Sequence, residues 1–331
     1  MLWFDENRPS TVPKSREASN LDETDAKDTT RFPGLFGTCM SMETATTHML
    51  VAGAKGQLGV RLMEAAAVAG VSASGLDREG MDVASRDSVE AALDSVQPTV
   101  VINAAAYTAV DMAESQREAA MAVNARGTQH LAEECQSRGI PLIHVSTDYV
   151  FGQAPRRPLL PSDTPCPEGV YAESKRQGEE AFLASGVCGC VIRISWLYDV
   201  QGANFLQTML RLAKAHGSLS VVNDQHGVPT AAPLLAQALV EVAKLGKDMP
   251  QGIWHHSHQG HTTWHGFASA IMEVAGLAVP VLPVDTSAFP TAAPRPAWSV
   301  LDGEPLRARM GWPSVTWREA LEACWSFRND A

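Results

Sequence analysis

Val51-Ala52-Gly53-Ala54-Lys55-Gly56-Gln57-Leu58-Gly59 is the stretch on which the fold turns. It closes a short apolar run, residues 49–52, and opens a segment with helical apolar spacing, 58–69, that stops at Gly70. Gly53 permits a sharp strand-to-helix turn, Gly56 lets the backbone approach a pyrophosphate, and Gly59 lets the helix pack close to the strand. The helix start then offers unpaired N–H groups and the positive end of its dipole to phosphate. A glycine turn can serve packing alone, but this one sits at the first strand–helix junction. Asp77 ends a second strand-like run, 71–76, and follows Gly59 by 18 residues, where an acidic side chain commonly takes an adenosine ribose.

Outward from this turn the chain alternates strand and helix. Asp87-Ser88-Val89-Glu90 has capping-box spacing and opens a short helix through Asp94. Residues 99–103 form a β-branched strand, 114–137 a helix, 142–146 a strand, 168–183 a helix and 191–195 a further strand. Continuous apolar strands separated by helices imply an α/β fold, a doubly wound, Rossmann-like parallel sheet covered on both faces, over residues 48–200. Beyond residue 200 the alternation loosens into helices at 204–216 and 234–245, strands at 253–257 and 281–284, and a final helix at 317–327. Residues 201–331 are read as a smaller mixed α/β lobe, mainly substrate-binding. Residues 1–47 mix charges with Ser, Thr and Pro without a sustained period and read as a flexible N-terminal extension. Met40, Met42 and Met49 leave open a later translation start.

A chain of 331 residues with 45% hydrophobic and 19% charged side chains has room for one large domain or two modest ones. A net charge of −11 argues against nucleic-acid binding, which needs clustered basic residues. No apolar run nears the roughly 18–20 residues of a membrane span, and Asp5, Glu6 and Arg8 interrupt any signal-peptide order. The six cysteines are scattered without a CxxC pair, which predicts reduced thiols and a cytoplasmic protein.

The chemistry gathers further along. Tyr171 and Lys175 stand four residues apart on the helix of 168–183, hence on one face. A phenol with a pKa near ~10 is a poor acid–base group at neutral pH, and an adjacent ammonium is expected to lower it. Ser146-Thr147-Asp148-Tyr149 ends a parallel strand, where open α/β sheets bind ligands, and a hydroxyl there can bond a carbonyl. Asn103-Ala104-Ala105-Ala106 ends another strand with side chains small enough for a ligand to approach the backbone. Each element alone has a packing explanation; the convergence of three on one sheet edge in this chain order is not a coincidence of packing.

The GxxGxxG spacing and the YxxxK pair resemble the extended short-chain dehydrogenase/reductases. The runs AGAKGQLG (52–59), VINAAAYTAVDMAE (101–114), VNARGT (123–128), IHVSTDYVF (143–151), VYAESKRQGE (170–179), RISWLY (193–198), NFLQTMLRLAK (204–214) and VNDQHGVPT (222–230) together resemble the dTDP-4-dehydrorhamnose reductase family over about 49–330. The resemblance implies reduction of the C4 ketone of a dTDP-4-keto-6-deoxy-L-sugar to dTDP-L-rhamnose, with hydride from NADPH or, alternatively, NADH. It implies Tyr171 as proton donor, Lys175 as the cation that lowers the phenol's pKa and holds the nicotinamide ribose, and Thr147 as a hydrogen-bond partner of the sugar oxygen. Gly53, Gly56, Gln57, Leu58, Gly59, Asp77, Asp82, Val83, Ala105, Ala106, Tyr107 and Thr108 are expected to line the cofactor, with Tyr171 and Lys175; Arg78 is a candidate for a 2′-phosphate. Thr108, Val110, Ser146, Thr147, Asp148, Tyr149 and Trp196 are expected on the sugar-nucleotide side, where an indole face can stack. Pro294-Arg295-Pro296-Ala297-Trp298-Ser299 departs from the family's Arg-Arg-Pro and Asn-Ser; Arg295 stays a candidate for the diphosphate.

His255, His256, His258, His261 and His265 invite a metal reading, which is set aside because a strand, a Gly260 turn and a helix capped by Thr262 or Thr263 would scatter them. Alternatives remain: another nucleotide-sugar enzyme (epimerase, dehydratase, a ketoreductase for a different deoxysugar) or a non-catalytic regulatory subunit of the same fold. Enzymes of this kind often dimerise, so a homodimer is allowed, though no feature marks an interface.

Overall fold

The computed structural model describes residues 47–328, so all but Thr47 of the expected extension lies outside the described residues. Five strands, β1 (His48–Ala52), β2 (Ser72–Leu76), β3 (Val100–Asn103), β4 (Leu142–Thr147) and β5 (Gly189–Ile194), join an edge strand, Gly252–His255, in one six-stranded sheet. The spatial order is edge strand–β5–β4–β3–β1–β2, and every pairing is parallel.

The side-chain period of two explains the layers. In β1, Met49 and Val51 enter one apolar cluster with Leu58 and Leu62 of helix α1 (Gln57–Val68) and Leu235 and Leu239 of the helix Ala232–Lys244. Leu50 and Ala52 enter the opposite cluster, with Val89 and Leu93 of helix α2 (Arg86–Val96), Leu131 of Gly127–Arg138 and Phe182 of Val170–Ser185. Helices on both faces make the sheet doubly wound, as the continuous apolar strands require. A third cluster, built on Tyr198, Leu206, Met209, Phe267, Ile271 and Leu321, holds a lobe of the helices Phe205–Ala215, Trp264–Val274 and Trp317–Trp325. The chain after residue 200 therefore builds this lobe and also returns to the sheet, through Ala232–Lys244 and Gly252–His255.

Two local expectations change. The N-cap of α2 is Ser85, whose hydroxyl accepts the Ser88 N–H, so Asp87 lies inside the first turn instead of capping it. The single helix expected at 114–137 is divided into Val110–Ala113, Arg117–Met121, a π-helical turn Ala122–Arg126, and Gly127–Arg138. Asn124 explains the bulge: its carboxamide bonds the Tyr107 N–H and carbonyl and the Ser174 hydroxyl, while Gly178 packs directly against its carbonyl.

Candidate active site

The strand order reverses between β1 and β3, which opens a crevice at their carboxyl ends. Gly53, with φ of 79°, makes the turn out of β1; a Cβ there would lie 2.8 Å from the Ala105 Cα. A Cβ on Gly59 would overlap the Gly53 carbonyl oxygen, so this glycine seats α1 against the turn itself. Gly56 is the N-cap and caps with no side chain. Gln57 Nε2 beside it is buried without a hydrogen-bond partner. An orphaned amide donor next to an uncapped helix start suits a dinucleotide pyrophosphate.

Asp77 stands at the end of β2, ion-paired with Lys55 and accepting the Glu79 and Gly80 N–H groups at 3.1 and 3.2 Å. The Lys55 hydrogen bond, followed by that of Gly80, holds its carboxyl below the usual value. Arg78, 85% exposed, lies 3.5 Å from Asp82. Two exposed cations, Lys55 and Arg78, flank Asp77, a charge pattern that would suit a 2′-phosphate. Val83, expected at the cofactor, turns its side chain into the core against Gly127.

At the end of β4, the Thr147 hydroxyl donates to Asp148 Oδ1 at 3.0 Å and accepts the Tyr149 N–H at 3.2 Å. Thr147 lies close enough to Tyr171 to bear on its titration, and Tyr149 meets Tyr171 edge-on with ring centroids 5.5 Å apart. Burial pushes the Tyr171 phenol up to about 12, with Thr147 opposing. The expected lowering by Lys175 is corrected here: its Nζ donates to the Val145 carbonyl at 2.8 Å and lies 3.3 Å from His144 Nε2. Burial, opposed by Glu179, brings the Lys175 ammonium down to about 8. Burial also raises Asp148 to about 6, opposed by nearby Ser299 and by the Thr147 hydroxyl on Oδ1, and its Oδ2 is unpartnered.

Ala105, Ala106, Tyr107 and Thr108 follow β3 into the crevice wall; the Tyr107 hydroxyl donates to Gln116, Thr108 is exposed, and Val110 is buried. Other expected substrate residues are turned elsewhere. The Ser146 hydroxyl donates to Glu179 at 2.6 Å, inside a fully buried Glu179–Arg193 pair, so it faces the core instead of the crevice. The Arg295 guanidinium is 2% exposed and pairs with Asp111 at 2.7 Å, which removes it from an open diphosphate position. Trp196, with φ of 48°, has one face stacked on Trp264 at 3.7 Å and its edge against Gly227. Of the histidines, His255, His256 and His258 line one small cavity of about 40 Å³, where the His256 and His258 rings meet edge-on with centroids 5.6 Å apart. His255 bonds the Leu159 carbonyl, His261 meets His226 and Trp298, and His265 bonds Val281. Among the described residues no three His, Cys, Asp or Glu side chains cluster as ligands would. Asn103, His144, Ser299 and Asp111 were missed by the sequence reading; only Asn103, at a strand end, carried a visible signal.

A glycine turn at the first βα junction, with Thr147 at the end of β4 and Tyr171 and Lys175 on the helix packed beside it, defines a dinucleotide-dependent oxidoreductase of the short-chain dehydrogenase/reductase class. The chain belongs to the family described as RmlD substrate binding domain, which matches residues 47–328. It is 38% identical to the spore coat polysaccharide biosynthesis protein SpsK of Bacillus subtilis, over 86% of this chain and 99% of that protein. It is 39% identical to dTDP-4-dehydrorhamnose reductase of Burkholderia thailandensis, over 83% and 97%. The Bacillus anthracis dTDP-4-dehydrorhamnose reductase solved in complex with NADP is 32% identical, with a TM-score of 0.81 over 86% of this chain and 100% of that one.

Proposed function

We propose that this protein uses NADPH to reduce the C4 ketone of a dTDP-4-dehydro-6-deoxy-L-sugar, yielding dTDP-L-rhamnose. The observation that carries the reading is the placing of Tyr171 beside Thr147 and Tyr149 at the carboxyl end of β4, with Lys175 one helical turn below and bonded to the Val145 carbonyl of that strand. When bound, the nicotinamide supplies hydride to C4. Tyr171, which keeps its proton at neutral pH, gives it to the oxygen as negative charge develops there. Thr147 orients that oxygen, and Asp148 and Tyr149 flank the sugar. Lys175 holds the nicotinamide ribose and, while charged, steadies the phenolate left behind. Gly56 and Gln57 receive the pyrophosphate; Asp77, Lys55 and Arg78 receive the adenosine ribose and its phosphate. Residues 48–200 are the cofactor-binding part, and residues 201–331 are mainly the substrate lobe.

The decisive assay follows 340 nm absorbance with the dTDP-4-keto-6-deoxy-L-sugar and either NADPH or NADH. Stoichiometric oxidation with formation of dTDP-L-rhamnose is expected, faster with NADPH. Conversion of the sugar without net NADPH oxidation would instead establish an epimerase or dehydratase, a reading that only the unpartnered Asp148 oxygen favours. A homodimer in the cytoplasm is the setting we infer for a nucleotide-sugar enzyme with free thiols such as buried Cys135 and Cys190. Light scattering on the purified protein reads the oligomeric state.

A further inference from the structure

Beneath the Thr147–Tyr171 pair runs a buried chain of polar groups. Parallel register sets Asn103 of β3 opposite His144 of β4. The Ala105 backbone N–H donates to Asn103 Oδ1 at 3.1 Å. That bond decides which way the carboxamide points, because an N–H can face only its oxygen. Asn103 Nδ2 therefore faces His144 Nδ1, at 3.1 Å, and as an NH2 group it can only donate. His144 Nδ1 must be the accepting nitrogen, which leaves the single proton of a neutral imidazole on Nε2. Complete burial and the neighbouring Lys175 both work against a second proton on the ring, holding it well below the usual histidine range.

Nε2 in turn lies 3.3 Å from Lys175 Nζ. A protonated Nε2 facing an ammonium sets two donors against each other, whereas an amine presents a lone pair. We propose that His144, locked by Asn103 with its proton on Nε2, is a positioning residue that fixes both the place and the charge state of Lys175. The inference rests on the reductase reading only for its kinetic consequence. Of the groups around the amine, His144 is the adjustable one. Glu179, on the same helix, is already held by Arg193, Arg176 and the Ser146 hydroxyl, and the Val145 carbonyl only accepts. Tyr171, one turn away, keeps its proton. As pH rises, Lys175 loses the charge that steadies the Tyr171 phenolate, so the Asn103–His144 tautomer sets where the alkaline limb of turnover falls.

The test has one arm without substrate and one with it. In the unliganded protein labelled with ¹⁵N-histidine, two-bond ¹H–¹⁵N correlation is expected to show His144 as the Nε2–H tautomer, unchanged between pH 8 and pH 5.5. An Nδ1–H signal, or protonation of that ring near the ordinary histidine range, overturns the proposal. Asn103→Asp keeps the acceptor for the Ala105 N–H and places a second acceptor on Nδ1. It is expected to move the proton to Nδ1, turn Nε2 into an acceptor for the ammonium, and shift the alkaline limb of kcat upward by about one pH unit, a tenfold change in relative activity on that limb. His144→Phe is expected to move the limb the same way. Loss of kcat equally at all pH values in both variants, with the limb unmoved, would mark His144 as merely structural and sink the idea. If the wild-type protein reduces no 4-keto sugar, the reductase reading fails while the tautomer measurement still decides for or against His144.

Discussion

Replacing Lys175 by Met should make the free protein more stable while abolishing turnover. Lys175 is 2% exposed, and burial brings it from 10.5 to about 8. A lowered folded-state value means that the unfolded chain binds the proton more readily, so the lysine disfavours folding as pH falls through about 8, and the penalty vanishes above 10.5. At pH 7 the shift corresponds to about 3 kcal/mol against folding. Methionine fills a similar volume without charge and forfeits the Nζ bond to the Val145 carbonyl, a loss of about 1 kcal/mol. The net expectation is a gain of about 2 kcal/mol at pH 7, shrinking to a few tenths of a kcal/mol near pH 9.5, where the lysine is neutral in the folded protein but still mostly charged in the unfolded chain and the penalty has fallen to about 1.4 kcal/mol. Urea unfolding followed by tryptophan fluorescence, at both pH values and without nucleotide, reads this directly. A variant no more stable than wild type at pH 7, or one whose gain is equal at both pH values, would refute the electrostatic reasoning. The second outcome would assign the effect to packing alone.

Three further outcomes follow from the same geometry. Tyr171→Phe removes the proton donor and keeps the aromatic ring, so kcat should fall by about 10²–10⁴-fold while NADPH affinity, measured by fluorescence titration, stays within about twofold. Gly59→Ala forces a Cβ into the Gly53 carbonyl, a backbone atom that cannot swing away; NADPH binding should be lost or weakened by at least about tenfold, with a destabilisation of about 2 kcal/mol or more in thermal unfolding. Arg193→Leu strands the Glu179 carboxylate, both partners being 0% exposed, and should lower stability by about 3–5 kcal/mol. The double variant Arg193→Leu, Glu179→Leu should recover most of that loss, as a double-mutant cycle would record.

What could be read in the chain was whatever depends on near neighbours. Residues 49–52 and 100–103 are apolar at every position but Asn103, which only a strand covered on both faces tolerates, and both are strands in the sheet. Thr263 caps the helix Trp264–Val274 because its hydroxyl reaches the Gly266 N–H three residues on. The misplaced cap at Asp87 shows the limit of spacing alone: Ser85, two residues earlier, stands in extended conformation at the true start of the helix. Residues whose neighbours come from far along the chain were misread. Ser146 ends a strand as a substrate hydroxyl would, yet its partner Glu179 is 33 residues away, and Arg295 finds Asp111 at a separation of 184. The break at Ala122–Arg126 is equally non-local, since it serves contacts of Asn124 with Tyr107 and Ser174.

Two buried polar networks lie side by side under the catalytic edge, and they differ in kind. In one, Arg193 meets Glu179 through two hydrogen bonds of 2.8 and 2.7 Å, Ser146 adds a third, and Phe151 covers the guanidinium at 4.8 Å. Every partner there has opposite charge or a fixed donor, so no proton can leave without stranding a charge, and the network acts as a rigid brace between β4, β5 and the Tyr171 helix. In the other, Asn103, His144 and Lys175 form a line of neutral dipoles ending on one amine, where a proton can come or go with little rearrangement. A brace that cannot titrate, set next to a line that can, confines the alkaline response to a single nitrogen one turn below Tyr171. If both networks were braces, the pH profile of turnover would carry no limb from Lys175, and substitutions at Asn103 would change its height alone.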